Sequence, residues 1–263
     1  WTNSNSFKIS YNKTYKNYKI DKINLSSGDQ KINFFGSYKS FDNMDINLKL
    51  EKVLLENILP KNIRIETKGE VNLDFYVNRN NGLDRSKGDL IINKLVINKY
   101  EYGDFELNFN SMPENKKYIL NSFVKKDDFN NMMAYGDLLF SDEKISSDIK
   151  IELSDFSLSF LSKIGVNKIE KIKGDISGNV NLVGDIYNPE LHGKLKLKNS
   201  SLYIPYTNTE YKFKDLSTVS LSGQQFDFEK IVFNDLDYKT EALLSGKISH
   251  KNFNNWNLDL NVN

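Results

Sequence analysis

Residues 174–205 read GDISGNVNLVGDIYNPELHGKLKLKNSSLYIP, and their pattern decides the fold class. Apolar residues fall at every second position, Val180 and Leu182 in one run, Leu195 and Leu197 in the next. A period of two sends alternate side chains to opposite faces of an extended chain, so each run reads as a strand with one apolar face. The same grammar recurs in MDINLKL (44–50), EVNLDFYV (70–77), DFELNF (104–109), SDIKIEL (147–153) and WNLDL (256–260). Clusters of Gly, Asn, Asp and Ser separate the runs as turns require, most sharply in NRNNGLDRSKGD (78–89). About 17 to 19 short strands at regular spacing predict an all-β chain. Only VLLENILP (53–60) and SDFSLSFLSKIG (154–165), the second behind a Ser or Asp cap, carry apolar residues at helical steps. They predict two short helices.

Composition narrows the class. An apolar share of 39% beside 27% charged residues describes a globular chain, and suits sheets wetted on one face better than doubly covered ones. A net charge of +1 supplies no field to recruit nucleic acid. The absence of cysteine excludes disulfides, thiolate zinc sites and a Cys nucleophile. No run approaches 18 consecutive apolar residues, so nothing predicts a helix across a bilayer. The chain opens at Trp1 and stops inside a strand-like run, and is expected to be a piece of a longer protein whose targeting segment lies elsewhere.

An internal repeat organises the chain. Gly36 and Gly136 each begin a run of strand, alternating strand, short helix, linker, glycine and alternating strand; Gly246 begins a third, shorter copy. Counted from the leading glycine, Ile46, Leu48 and Leu50 correspond to Trp256, Leu258 and Leu260. A β unit of about 100 residues repeating along one axis predicts an elongated stack, too long in period for a β-helix.

The joined pattern of Gly174, Gly178, Gly184, Asn188, Pro189, Leu191, Gly193, Leu195, Leu197, Leu202, Ile204 and Pro205 resembles the C-terminal region of TamB-like proteins, of the AsmA-like superfamily. The continuation to GKI (246–248) is similar to the Bacteroidota forms. The likeness is strong over residues 134–263, read as a TamB-like C-terminal-type β segment. It is looser over residues 1–133, read as a β-rich repeat segment continuous with it. The resemblance implies a β-taco: an elongated curled sheet with an apolar groove. It further implies a periplasmic segment of an inner-membrane-anchored envelope protein, with phospholipid in the groove. Its implied partner is an outer-membrane barrel (TamA-like, BamA-like or a lipoprotein counterpart). It implies no enzyme activity, no cofactor and no metal.

The alternation leads to the same groove by its own route. One apolar face per strand must be buried, and two short helices are too few to cover it. Moving a chain of about 16 carbons through water meets a barrier of about 13 kcal/mol, at ~0.8 kcal/mol per CH₂, which an apolar trough removes without chemistry. The residues expected to line it are Ile46, Leu48 and Leu50; Val71, Leu73 and Phe75; and Ile149, Ile151 and Leu153. Val180, Leu182, Leu195, Leu197, Leu258 and Leu260 continue the stripe. Leu54, Leu55 and Leu59, with Phe156, Leu158, Leu161 and Ile164, are expected to plug its ends from the helices. About 18 strands at ~4.8 Å each predict a sheet of roughly 85 Å.

Other signals read as ordinary structure. His192 and His250 lack ligand spacing and read as exposed histidines. SGKIS (245–249) fails the phosphate-loop pattern at Glu241 and Ile248. FDNMDINLKLE (41–51) lacks the EF-hand glycine, and Asp127 with Asp128 reads as a solvated turn. YNKTYKNYKIDK (11–22) mixes aromatics with lysines but reads as an amphipathic strand pair. Pro189 reads as the end or kink of an edge strand. Two further readings compete with the lipid conduit: a scaffold for outer-membrane protein assembly or secretion that pairs through strand edges, and a β-solenoid enzyme or adhesin. The second would bring short coils, stacked Asn ladders and a clustered acid pair, which the sequence lacks.

Overall fold

Antiparallel pairing of each lane with the one before it generates the sheet. A computed structural model describes the chain except residues 4, 60–65, 82, 113–115, 142–143, 164–169, 206–207, 236–239 and 253. β1 (Thr2–Asn3) and β2 (Ile9–Asn12) share one side of β3 (Asn17–Ser27), followed by β4 (Gln30–Ser40) and β5 (Asn43–Leu54). After the helical turn α1 (Leu55–Ile58) comes β6 (Thr67–Asn80), beside which β7 (Leu83–Asp84) and β8 (Lys87–Ile97) share a lane. Next are β9 (Tyr100–Met112), β10 (Lys117–Lys126), β11 (Phe129–Phe140), β12 (Ile145–Ser157) and a 3-10 turn, η1 (Leu158–Lys163). β13 (Glu170–Asp185) and β14 (Asn188–Ile204) precede β15 (Thr209–Phe213) and β16 (Thr218–Gly223), which share a lane between β14 and β17 (Gln225–Asp235). β18 (Glu241–Lys251) and β19 (Asn254–Val262) complete one sheet of 19 strands, elongated and curled.

The fold is all-β in the sense expected: 81% of the described residues are strand and 3% helical, too little helix to roof the sheet. Three lanes hold two strands each, so 19 strands occupy 19 − 3 lanes, and the sheet runs about 72 Å rather than roughly 85 Å. The accessible surface is 16684 Å², against about 11,800 Å² for a compact monomer of 30.5 kDa. Residues 133 and 134 both lie inside β11, so the sheet crosses from one sequence segment to the other without a break.

The repeat is visible atom by atom. Gly36 faces Ile46 across the ladder, Gly136 faces Ile149 and Gly246 faces Leu260. A Cβ on any of these glycines would lie 2.3, 2.1 and 2.1 Å from the carbonyl oxygens of Asp45, Asp148 and Asp259 respectively. This register corrects the sequence correspondence. Leu260, not Trp256, is the equivalent of Ile46, because the β18–β19 hairpin is four residues longer than β4–β5. The shift is even, so the apolar residues keep their face.

Bulges bend the strands along one line. The register shifts between Leu50 and Val53, Ile92 and Leu95, Leu153 and Phe156, and Phe228 and Ile231. Each extra stretch contains a residue at positive φ: Lys52 (52°), Lys94 (53°), Asp155 (46°) and Lys230 (51°). At three of them the displaced backbone N–H donates to a side chain on the next strand, at Asn72 Oδ1 (3.0 Å), Asp104 Oδ1 (2.9 Å) and Ser177 Oγ (2.8 Å). A bulge adds local twist and turns the strand end, so the row of bulges folds one long side of the sheet inward. We call this side the bulge rim and the opposite side the hairpin rim.

Both helical segments are shorter than expected. Val53 and Leu54 pair with Val71 and Glu70, leaving α1 a single turn, and β12 runs through Ser157 before η1 begins. The cap is neither Ser154 nor Asp155: the Ser157 hydroxyl accepts the Ser159 N–H at 3.2 Å.

Candidate functional site

The apolar face can be followed as one row of directly facing residues. From Leu25 it passes through Ile32, Leu50, Leu73, Leu90, Leu107, Ser122, Ala134, Ile151, Val180, Gly193, Leu221, Phe226 and Ile248 to Leu258. The neighbouring row, on the opposite face, runs Asn33, Lys49, Asp74, Asp89, Asn108, Asn121, Tyr135, Lys150, Asn181, His192 and Ser222. One face is a strip of hydrocarbon interrupted by a serine and a glycine. The other is wet, with surface ion pairs such as Lys150–Glu152 at 2.7 Å.

Register brings every residue expected in the groove onto the apolar face. Ile46, Leu48, Val71 and Phe75 flank the row on β5 and β6; Ile149, Leu153 and Leu182 flank it on β12 and β13; Leu195, Leu197 and Leu260 continue it. Their burial differs. Leu50, Val71, Ile149, Val180 and Leu197 are buried, Ile46, Leu48, Leu73, Phe75, Ile151, Leu153, Leu182, Leu195 and Leu260 half-buried, and Leu258 is 60% exposed. The strip also contains Phe34, Phe105, Phe109, Val219, Phe228 and Ile231, which the sequence reading omitted. Bulges interrupt the alternation around several of them, and aromatic residues on both faces blur the rest.

No second sheet packs on this face: substantial contacts among the described elements join neighbouring lanes, and otherwise only α1 to β5 and β6 and η1 to β13. The bulge rim is where burial concentrates. Leu50, Val53, Leu55, Val71 and Leu95 form one cluster with Leu59 against it, and Leu158, Ile176, Leu197, Val219 and Ile231 form another with Phe156 and Leu161. Leu55, Leu59, Leu158 and Leu161 therefore seal the long bulge rim rather than plug the ends of the trough. Leu54, 39% exposed, points away, and Ile164 lies outside the described residues. The β8–β9 turn fastens this seal. Asn98 donates to the Phe160 carbonyl and Tyr102 to that of Ser157, both at 3.3 Å. Burial pushes the Tyr102 phenol up to about 12, so it remains a donor.

Between β6 and β10 the same face becomes polar at the hairpin rim. Arg79 donates to Asp84 at 2.8 Å and to the Tyr118 hydroxyl at 2.6 Å, and Tyr118 donates in turn to Asp84. The Ser86 N–H donates to Asp84 at 3.0 Å and to Ser111 Oγ at 2.7 Å, while Phe41 stacks on the guanidinium at 3.9 Å. Burial opposes the Asp84 charge, but donors from Ser86, Tyr118 and Arg79 outweigh it and hold the carboxyl below its ordinary range. Burial raises the Tyr118 phenol.

Comparison with known proteins leaves the family open. No family model matches the chain, and no solved structure matches it. An uncharacterized protein of Buchnera aphidicola subsp. Schizaphis graminum is 29% identical over 161 residues, 61% of this chain. The matched stretch is 13% of that relative's length.

His192 is exposed on the wet face, 3.2 Å from Glu190. His250 is instead buried beside Phe226 and Trp256, because the β17–β19 hairpins stack their rings, and burial lowers its pKa. Pro189, the second residue of β14, faces Gly184 on a central strand rather than an edge strand. Asp127 and Asp128 form the exposed β10–β11 turn, and residues 11–22 form most of the β2–β3 hairpin.

Proposed function

We propose that this chain is a non-catalytic segment of a longer TamB-like envelope protein, whose concave face shelters phospholipid acyl chains between the inner and outer membranes. The observation that carries the reading is the hydrocarbon strip: a continuous apolar face from β3 to β19 with no second sheet on it among the described residues. An apolar face of this extent, rimmed by polar residues, suits a ligand that is itself apolar and long. The wet opposite face suits a periplasmic setting, and an outer-membrane barrel would receive the lipid through other parts of the full-length protein.

Photo-crosslinking residues at Leu73 and Leu195, introduced in cells, test it. Phospholipid should be captured from both, and not from Asn72 or Lys196 on the wet face. Equal capture from both faces, or capture of outer-membrane protein without lipid, overturns the reading.

A further inference from the structure

The two long sides of the apolar face differ, and the difference fixes how an amphiphile would lie. At the bulge rim the face ends in the two apolar clusters sealed by α1 and η1, with Val53 at 0% and Ile231 at 2% exposure. A headgroup placed there would lose its water and find hydrocarbon. Between β6 and β10 the face ends at the hairpin rim in Arg79, Asp84, Ser86, Ser111 and Tyr118, and no helical turn lies over it among the described residues. On β6 the strip between these limits runs from Val71 to Arg79, about 27 Å at ~3.4 Å per residue. One leaflet of acyl chain needs about 15 Å.

We propose that the hairpin rim between β6 and β10 is the headgroup side of the groove: lipids lie there along the strands, tails toward the bulge rim, and Arg79 is the fixed polar contact for the head. This rests on the lipid-conduit reading and adds the orientation and the contact residue. The guanidinium has five N–H donors and spends one on Asp84 and one on Tyr118, leaving others for a phosphate oxygen. Asp84 cancels its charge, so the site takes up a headgroup by hydrogen bonding and does not trap anions by field alone.

The 263-residue chain would be incubated with phosphatidylethanolamine vesicles doped with lipid bearing a diazirine on the headgroup or at one tail end. After irradiation, adducts are mapped by peptide mass spectrometry. Headgroup adducts should fall at the hairpin rim, around Phe41, Arg79 and Asp84, and tail adducts near Val53, Leu95, Leu158 and Ile231. Headgroup adducts shared equally between the rims, with tail adducts still on the inner face, overturn the orientation and leave the conduit standing. Absence of inner-face adducts from either probe overturns both. A paired variant, R79L/D84L, removes the polar cluster without stranding a charge. It should cut headgroup adducts on β6 about fivefold and leave tail adducts unchanged; undiminished headgroup adducts overturn the role of Arg79.

Discussion

Gly136 concentrates what the curled sheet demands of single residues. Its φ of 156° disfavours any L side chain, and a Cβ would meet the Asp148 carbonyl oxygen at 2.1 Å. Gly136→Ala should therefore cost at least about 3 kcal/mol, read as a fall in the midpoint of urea unfolding. Asp84 gives a second test. Its folded pKa lies below its unfolded value, so its stabilisation is present above the unfolded pKa near ~3.9 and fades as pH falls through the folded one. The wild type should outlast Asp84→Asn in thermal melts at pH 7, and the gap should close toward pH 3.

At the scale of elements, the strip contains two environments that a single substitution distinguishes. Val53 and Ile231 lie within the sealed clusters, where Glu would be a buried, unpaired charge costing several kcal/mol, enough to unfold the chain. Ile151 and Leu182 lie on the open part of the face, half-buried, where water can reach a carboxylate. Ile151→Glu and Leu182→Glu should lower the unfolding free energy by no more than about 2 kcal/mol while stopping lipid capture at Leu195. Circular dichroism melts of the four variants check the contrast. The elements themselves were largely legible in the sequence, because alternation in MDINLKL or SDIKIEL survives any tertiary context that wets one face. The helix ends were not. VLLENILP and SDFSLSFLSKIG place apolar residues at helical steps, but a bulge at Lys52 or Asp155 inserts the same offset into a strand, and pairing with Glu70 or Asp175 claims the first residues. Nor could spacing foresee the polar cluster, since Arg79, Asp84 and Tyr118 meet only when the curl of the sheet brings β10 toward β6 and β7 across the lanes between them.

The whole molecule is an open sheet, and its size should reveal it. A compact chain of this length would have a radius of gyration of about 18 Å. Scattering should give a clearly larger value, and a globular one would contradict the elongated sheet. The repeat was visible from the spacing of Gly36, Gly136 and Gly246. The third hairpin's extra residues hid the true match, which only the ladder resolves by setting Gly246 opposite Leu260.

Because every lane pairs with the lane before it in the chain, closing each new contact requires only a short loop. Folding can then proceed as a zipper, starting at any well-formed hairpin and spreading both ways, with each step fast and local. The two sealed clusters at α1 and η1 are the natural starting points, since they hold the most buried hydrocarbon. Unfolding would likewise begin where the sheet is thinnest in such contacts, lane by lane from β19 and from β2, long before the middle gives way.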